Sequence, residues 1–100
     1  MRSRFAAYAA ENIDYIIATT HPAGPQWHAD TAWWRDQVAR FSRNTIFSGL
    51  QIIRDEPGQT ESFVTFRAEL IGAQGDVSFS ERSRFIKVGT RWFYHSGVRV

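Results

Sequence analysis

Residues 76–99 read DVSFSERSRFIKVGTRWFYHSGVR, and this stretch carries the clearest structural pattern in the chain. Apolar and polar side chains alternate through most of it, which is typical of β-strands. Gly89 and Thr90 suit a two-residue hairpin turn with glycine in the first central place. The pattern therefore predicts strands over Asp76–Val88 and Arg91–Arg99, joined as an antiparallel hairpin.

The hairpin register sorts the side chains of both strands into two sets, because opposed residues share a sheet face. Val88 pairs with Arg91 and Phe85 with Tyr94. One face then carries Val77, Phe79, Glu81, Ser83, Phe85, Trp92, Tyr94 and Ser96. The preceding strand contributes Val64, Phe66, Ala68 and Leu70 to this face if the loop within Gly72–Asp76 has either two or four residues, because an odd number would turn one strand over.

Upstream of residue 49 the apolar period is that of a helix rather than a strand. Asn12 and Asp30 are suitable N-caps, and His21-Pro22 ends the helix between them. The expected elements are helices over 2–10, from Asn12 to His21 and over about 31–43, and strands over Leu50–Asp55, Glu61–Ile71, Asp76–Val88 and Arg91–Arg99. Helices followed by an antiparallel meander predict an α+β fold, in a single domain over residues 1–100.

The composition favours a small protein with one hydrophobic core. The 100 residues are 43% hydrophobic, carry a net charge of +2 and include no cysteine. Without thiols there is no disulfide and no thiolate metal site, which fits a reducing compartment, so we expect a cytoplasmic protein. The three histidines are scattered without zinc spacing, and we expect neither a metal nor a cofactor. No apolar run is long enough for a membrane span. The arginines are spread among ten acidic residues, which argues against nucleic-acid binding.

Glu81 lies on the predicted core face between Phe79 and Phe85. An ionised carboxylate among apolar side chains is costly unless it is paired. We favour a structural ion pair between Glu81 and Arg2 or Arg4 of the first helix. The alternative makes Glu81 a ligand-orienting acid or a general base in an internal cavity.

Four further side chains are candidate ligand contacts if the helices and sheet enclose a cavity: Tyr15, Tyr94, His21 and Trp34. His21 is otherwise a helix C-terminal histidine whose ring bonds a free carbonyl. Trp34, Val38 and Phe41 are otherwise a core stripe of the third helix. No nucleophile, paired base or zinc spacing accompanies them, so neither a catalytic set nor a metal site is predicted.

The opposite sheet face mixes charged residues with four apolar ones, which are Phe63, Ile71, Ile86 and Phe93. A sheet face of that composition is often a subunit interface. We therefore expect a homodimer formed through this face.

Several motifs, in this order, resemble the middle domain of the YchJ family of uncharacterised bacterial proteins. They are Met1-Arg2-Ser3-Arg4-Phe5 with Tyr8, Asp14-Tyr15, Thr20-His21-Pro22, Glu81-Arg82-Ser83-Arg84-Phe85, and Trp92-Phe93-Tyr94 with Gly97. The resemblance implies an NTF2-like (cystatin-like) cone, with about three helices packed into a curved antiparallel sheet of about four strands. Relatives commonly carry zinc-binding, cysteine-rich SEC-C-type segments on both sides. These are absent here because the gene start is placed late, the chain is trimmed, or this member has lost them.

Two functions follow as alternatives. The favoured one is a non-catalytic scaffold or interaction module, dimeric through the open sheet face, which in relatives holds the metal-binding tails in position. The other is a small-molecule-binding domain or enzyme that uses the cone cavity around Glu81. A cavity above about 300 Å³ lined by the candidate residues would favour the second. A filled core with Glu81 bonded to arginine would favour the first.

Overall fold

Three helices precede an antiparallel sheet in the computed structural model, which describes residues 1–100. The elements are α1 (Arg2–Ala9), α2 (Ile13–Ala18), α3 (Thr31–Arg43), β1 (Ile46–Glu56), β2 (Glu61–Gly72), β3 (Gly75–Asp76), β4 (Phe79–Val88) and β5 (Arg91–Arg99). The sheet order is β1-β2-β4-β5, and the short β3 pairs with β2. None of the helices combines the length and the apolar character needed to cross a bilayer. The predicted α+β class is confirmed.

Both later helices begin where a polar side chain accepts a hydrogen bond from a free backbone N–H. The side chain of Asn12 accepts from the Tyr15 amide at 3.3 Å, and Asp30 accepts from the Trp33 amide at 3.1 Å. The first turn of a helix has no intrahelical acceptor for these amides, so such caps set its start. The predicted starts of α2 and α3 are therefore confirmed.

The β4–β5 hairpin has the predicted register next to its turn, and Gly89 adopts a φ of +63°. That backbone conformation favours glycine. Beyond Tyr94 a β-bulge shifts the register by one residue, so Ser96 lies opposite Arg84. The prediction that Ser96 belongs to the core face is wrong, because the extra residue of a bulge moves the rest of the strand along. Gly97 takes that place, opposite Ser83.

The strand predicted over Asp76–Val88 is interrupted between β3 and β4. The Ser78 hydroxyl replaces ladder hydrogen bonds there: it accepts from the Leu70 amide at 2.9 Å and donates to the Leu70 carbonyl at 3.3 Å. The Gly72–Gly75 pair closes a two-residue loop. Of the two loop lengths that the face pattern allowed, the shorter is the one adopted.

The core consists of two clusters, one among the helices and one on the sheet. The helical cluster comprises Ala7, Ile16, Trp34 and Val38. The sheet cluster comprises Phe66, Ala68 and Leu70, against which pack Phe5, Phe47, Leu50, Ile52 and Phe79. Trp34 and Val38 are thus buried as predicted, whereas Phe41 of the same stripe is exposed. The two clusters leave a gap between the helices and the sheet.

The outer edge of β5 is covered by the segment that follows α2. The backbone carbonyl of Tyr94 accepts from the His21 amide, and the backbone amide of Tyr94 donates to the Thr19 carbonyl, both at 2.8 Å. Gly24 then packs so closely that a Cβ atom there would lie 2.1 Å from the His95 carbonyl oxygen. Covering a sheet edge removes unpaired backbone groups. It also fixes the residues that follow α2 beside Tyr94 of β5.

Candidate ligand-binding cavity

A cavity of about 480 Å³ lies between α1, α3 and the inner face of the sheet. Most of its wall is apolar, formed by Phe5, Phe41, Phe47, Phe66, Ala68, Leu70, Val77 and Phe79. The polar groups on its wall are Arg4, Tyr8, Gln26, Glu81, Tyr94 and Arg99. They come from α1, the loop before α3, β4 and β5, so only the folded chain brings them together.

Glu81 points inward, as its strand parity predicts, and its side chain is only 13% exposed. Its Oε2 accepts hydrogen bonds from the Ser83 hydroxyl at 2.7 Å and the Tyr94 hydroxyl at 3.2 Å. Its Oε1 lies 3.8 Å from Nε of Arg99. The carboxylate is therefore held by two hydroxyl groups and one arginine at the end of β5.

The predicted ion pair of Glu81 with Arg2 or Arg4 is wrong. Arg2 is exposed, and no carboxylate lies within salt-bridge distance of Arg4. The reason is that the β4–β5 pairing supplies nearer donors on the same sheet face, so Glu81 is satisfied from within the sheet.

Gly97 makes room for the Glu81 carboxylate. A Cβ atom at Gly97 would lie 2.1 Å from Oε2 and 2.2 Å from Cδ of Glu81. The bulge after Tyr94 places this glycine opposite Ser83. No local pattern in the sequence indicates either the bulge or the close approach.

Arg4 is almost completely buried, with 4% of its surface exposed. Its Nη1 donates to the Ile16 carbonyl at 3.3 Å and to the hydroxyls of Thr19 and Thr20 at 2.7 and 3.4 Å. Its guanidinium carbon lies 4.6 Å from the centre of the Tyr94 ring, a favourable cation–π geometry. Burial lowers the pKa of Arg4, since water no longer solvates its charge. All of these partners are neutral.

Two tyrosine hydroxyls of the cavity hold their protons more tightly than usual. The pKa of Tyr94 is raised, first by burial and then by the negative charge of Glu81. The pKa of Tyr8 is also raised by burial, although the neighbouring charge of Arg4 opposes the rise. The Tyr94 hydroxyl donates to Glu81 and accepts from the Gln26 amide at 3.4 Å. Both side chains are therefore neutral hydrogen-bonding groups near pH 7.

Of the candidate ligand contacts, only Glu81 and Tyr94 meet in this cavity. Tyr15 donates to the Ser3 hydroxyl at 2.7 Å and lines a smaller neighbouring cavity of about 260 Å³. Trp34 lies in the helical core.

His21 lies outside both cavities, and its Nδ1 accepts from the Ala23 amide at 3.0 Å. The predicted bond from the His21 ring to a free carbonyl is not formed, because this nearby N–H is the group within reach.

Sequence reasoning missed three polar residues of the cavity. Tyr8 has the spacing of an ordinary helical stripe, and Gln26 lies in a loop without a motif. Arg99 reaches the cavity only because of the bulge in β5. No group of three or more histidine, aspartate or glutamate side chains is placed to hold a metal ion.

Three of the four apolar residues of the outer sheet face are neighbours, since Phe63 on β2 is diagonal to Ile86 on β4, and Ile71 lies apart from them. Ile86 and Phe93 lie opposite each other on β4 and β5. Phe63 lies under the guanidinium of Arg82, 3.8 Å from its ring centre. Ile71, 45% exposed, is at the other end of β2. At about 3.3 Å per residue it is roughly 26 Å from Phe63.

Residues 1–97 match the model of the family described as YchJ, middle NTF2-like domain. The UPF0225 protein of Yersinia pseudotuberculosis is 39% identical over 103 residues, which cover 99% of this chain and 64% of that protein. A UPF0225 protein of Yersinia pestis is 38% identical with the same coverage. The chain thus spans less than two thirds of the length of these relatives.

Two solved structures share the fold. The solution structure of a SEC-C motif containing protein from Rhodopseudomonas palustris aligns with a TM-score of 0.84 and 30% identity, covering all of this chain and 75% of that chain. The crystal structure of a SEC-C motif containing protein from Psychrobacter arcticus aligns with a TM-score of 0.74 over 96% of this chain and 56% of that one. At 22% identity the second alignment is a likeness of fold alone.

Proposed function

This chain belongs to the family of the YchJ middle NTF2-like domain, and we propose that it is a non-catalytic module that binds a small amphipathic molecule between its helices and its sheet. The cavity of about 480 Å³ carries the proposal. Small-molecule sites are typically clefts of roughly 300–1,000 Å³ with mainly apolar walls and a few convergent polar groups. The argument rests on the site itself, because the same fold can serve many functions.

Binding is favoured over catalysis because the acidic group of the cavity is already engaged. A general base needs a free position within hydrogen-bonding distance of the proton that it removes. Oε2 of Glu81 accepts from both Ser83 and Tyr94, and Oε1 lies 3.8 Å from Nε of Arg99. The carboxylate is thus suited to fixing Tyr94 as part of a rigid wall.

A cavity-filling variant tests the proposal. Ala68 is buried and lines the cavity, whereas Ala39 is buried in α3 away from it. Enlarging a side chain in a filled core typically costs about 1–3 kcal/mol. We expect Ala68→Leu to keep its free energy of unfolding and Ala39→Leu, the matched control, to lose stability.

The same pair of variants is then compared in ligand binding. A panel of small aromatic and aliphatic compounds is titrated into the protein while amide ¹H–¹⁵N shifts are recorded. We expect binding compounds to shift amides around Phe66 and Glu81, and Ala68→Leu to abolish those shifts while Ala39→Leu retains them. An absence of binding up to millimolar concentration, together with equal destabilisation by both substitutions, would refute the proposal.

A second candidate is a scaffold that dimerises through the outer sheet face. It is supported by Ile86 and Phe93, half-buried apolar side chains that pair on a face without a covering helix. The two structural relatives contain a SEC-C motif as well as this domain. We therefore propose that, in its longer relatives, this domain holds the SEC-C motif in position.

Sedimentation velocity tests the dimer. Ile86→Lys should convert a dimer into a monomer, whereas Gln51→Lys, an exposed position on the same face of β1, should not. A wild-type chain that sediments as a monomer at high concentration would remove this candidate and leave the cavity proposal intact.

A further inference from the structure

We propose that Arg4 is the anion-recognising group of the cavity and that the bound molecule is a monocarboxylate with a compact apolar body. This inference rests on the proposed ligand-binding function and specifies its chemical class. It follows from the uneven pairing of charged side chains on the cavity wall, where Glu81 faces Arg99 but Arg4 faces no carboxylate.

The charge of Arg4 has no anionic partner in the protein. Three of its hydrogen bonds leave from Nη1 and end on one carbonyl and two threonine hydroxyls. The Tyr8 hydroxyl, which is also neutral, lies within hydrogen-bonding reach of the same guanidinium. A buried charge without a counter-charge is costly. The Nε and Nη2 groups have no carboxylate within salt-bridge distance. An incoming carboxylate would supply both the missing charge and the acceptors, since guanidinium N–H groups match its two oxygens.

Glu81 does not fill this role, because its own donors hold it elsewhere. Its Oε2 is held by the hydroxyls of Ser83 and Tyr94, and its Oε1 faces the exposed Arg99 at 3.8 Å. The Tyr94 ring lies under Arg4 while its hydroxyl points to Glu81. Tyr94 therefore separates the cation from the only acidic residue of the cavity.

Tyr8 provides a second donor for an anion at Arg4. It lines the same cavity, and it is close enough for the charge of Arg4 to act on its hydroxyl. The cavity thus offers a guanidinium and a neutral phenol together at one side of an apolar space.

The number of negative charges on the ligand follows from the same balance. One negative charge neutralises Arg4, since Arg99 on the same wall already faces Glu81. Met1 also lines the wall, and burial together with the charge of Arg4 lowers the pKa of its amino group, which weakens that positive charge. The second charge of a phosphate monoester would face Glu81, which shares the cavity, and like charges repel. The phenylalanine rings of the wall suit a phenyl group or a short aliphatic chain. A simple arylalkyl carboxylate therefore fits best.

A matched ligand series tests the inference with the wild-type chain. The probes are 3-phenylpropionate, 3-phenylpropanamide, 3-phenylpropylamine and 2-phenylethyl phosphate, compared by amide-shift titration at pH 7 and constant ionic strength. A charge-assisted hydrogen-bonded contact predicts that the carboxylate binds about 10- to 100-fold more tightly than the amide. The amine should bind least well.

Variants then locate the contact. Arg4→Met keeps much of the apolar volume and should erase the preference for the carboxylate over the amide. Arg2→Met removes an exposed arginine from the same helix and should leave it unchanged. Tyr8→Phe, which retains Arg4, should weaken the carboxylate alone by a few-fold. If Arg4→Met does not fold, the wild-type ranking and Tyr8→Phe still decide the question.

Each outcome has one meaning. Binding of the amide or the amine as tight as that of the carboxylate would overturn the anion assignment and leave the cavity function standing. Tighter binding of the phosphate would overturn the monocarboxylate assignment. Binding of no probe, together with none from the wider panel, would overturn the ligand-binding function itself.

Discussion

Replacing Glu81 by glutamine tests whether the carboxylate is held by the observed hydroxyl groups rather than by a buried ion pair. Glutamine keeps the shape and one acceptor oxygen but removes the negative charge. Ser83 is fully buried, and its hydroxyl already shares Oε2 with the hydroxyl of Tyr94. In the variant this position is taken either by an uncharged oxygen or by the amide nitrogen, which cannot accept. One charge-assisted hydrogen bond is lost or weakened as a result.

The expected cost follows from these contacts. A hydrogen bond to a charged group contributes about 1.5–3 kcal/mol. The Arg99 contact adds little, because its side chain is 69% exposed and the atoms are 3.8 Å apart. Exposed pairs are typically worth about 0–1 kcal/mol. We therefore expect Glu81→Gln to lower the free energy of unfolding by about 2 kcal/mol, which is a drop in Tm of roughly 8–16 °C for a domain this size.

Urea unfolding followed by the fluorescence of the four tryptophans measures the effect. Arg99→Gln is the matched control and should cost less than about 1 kcal/mol. A double-mutant cycle between Glu81→Gln and Ser83→Ala should give a coupling of about 0.5–3 kcal/mol, since the side chains share a hydrogen bond. The reasoning fails if Glu81→Gln is neutral, or if Arg99→Gln costs as much.

Three further predictions concern local features. Gly24→Ala should destabilise the protein and speed amide exchange in residues 19–21, because its Cβ would collide with the backbone of His95; protection equal to wild type would contradict the packing. Asp30→Ala should cost about 1 kcal/mol through loss of the cap of α3, and Asp36→Ala, an exposed position within that helix, should cost less in the same urea assay. The raised pKa of Tyr94 means that the folded state holds this proton more tightly than the unfolded state does. The stability that the protonated Tyr94 contributes should be complete below about pH 10 and be lost as the pH rises through the folded pKa. In the Tyr94→Phe variant the urea midpoint should therefore fall less steeply above about pH 10.

The elements of the fold were largely predictable because their signals are short-range. Asn12 and Asp30 act within one turn of the helices they cap. Gly89 sets a turn whose two strands must pair in one register. Strand alternation then assigns Phe66 and Glu81 to the face toward the helices, and both lie on the cavity wall.

The contacts of the cavity were less predictable because each joins distant parts of the chain. Arg4 was expected to meet Glu81, yet its partners are Thr19, Thr20 and the ring of Tyr94. The choice among several acceptors depends on how α2 ends against β5, and strand parity carries no information about that. The predicted interface likewise grouped Phe63 with Ile71, although β2 separates these two residues by roughly 26 Å.

Periodicity, caps and turn chemistry were therefore enough to specify the order of the elements and the inward direction of Glu81, since these depend on neighbours a few residues apart. The bulge after Tyr94, the space left by Gly97 and the gap between the two core clusters emerged only in the folded molecule. They depend on how closely the helical layer and the sheet approach each other. That approach is a sum over many long-range contacts, which no single stretch of sequence contains.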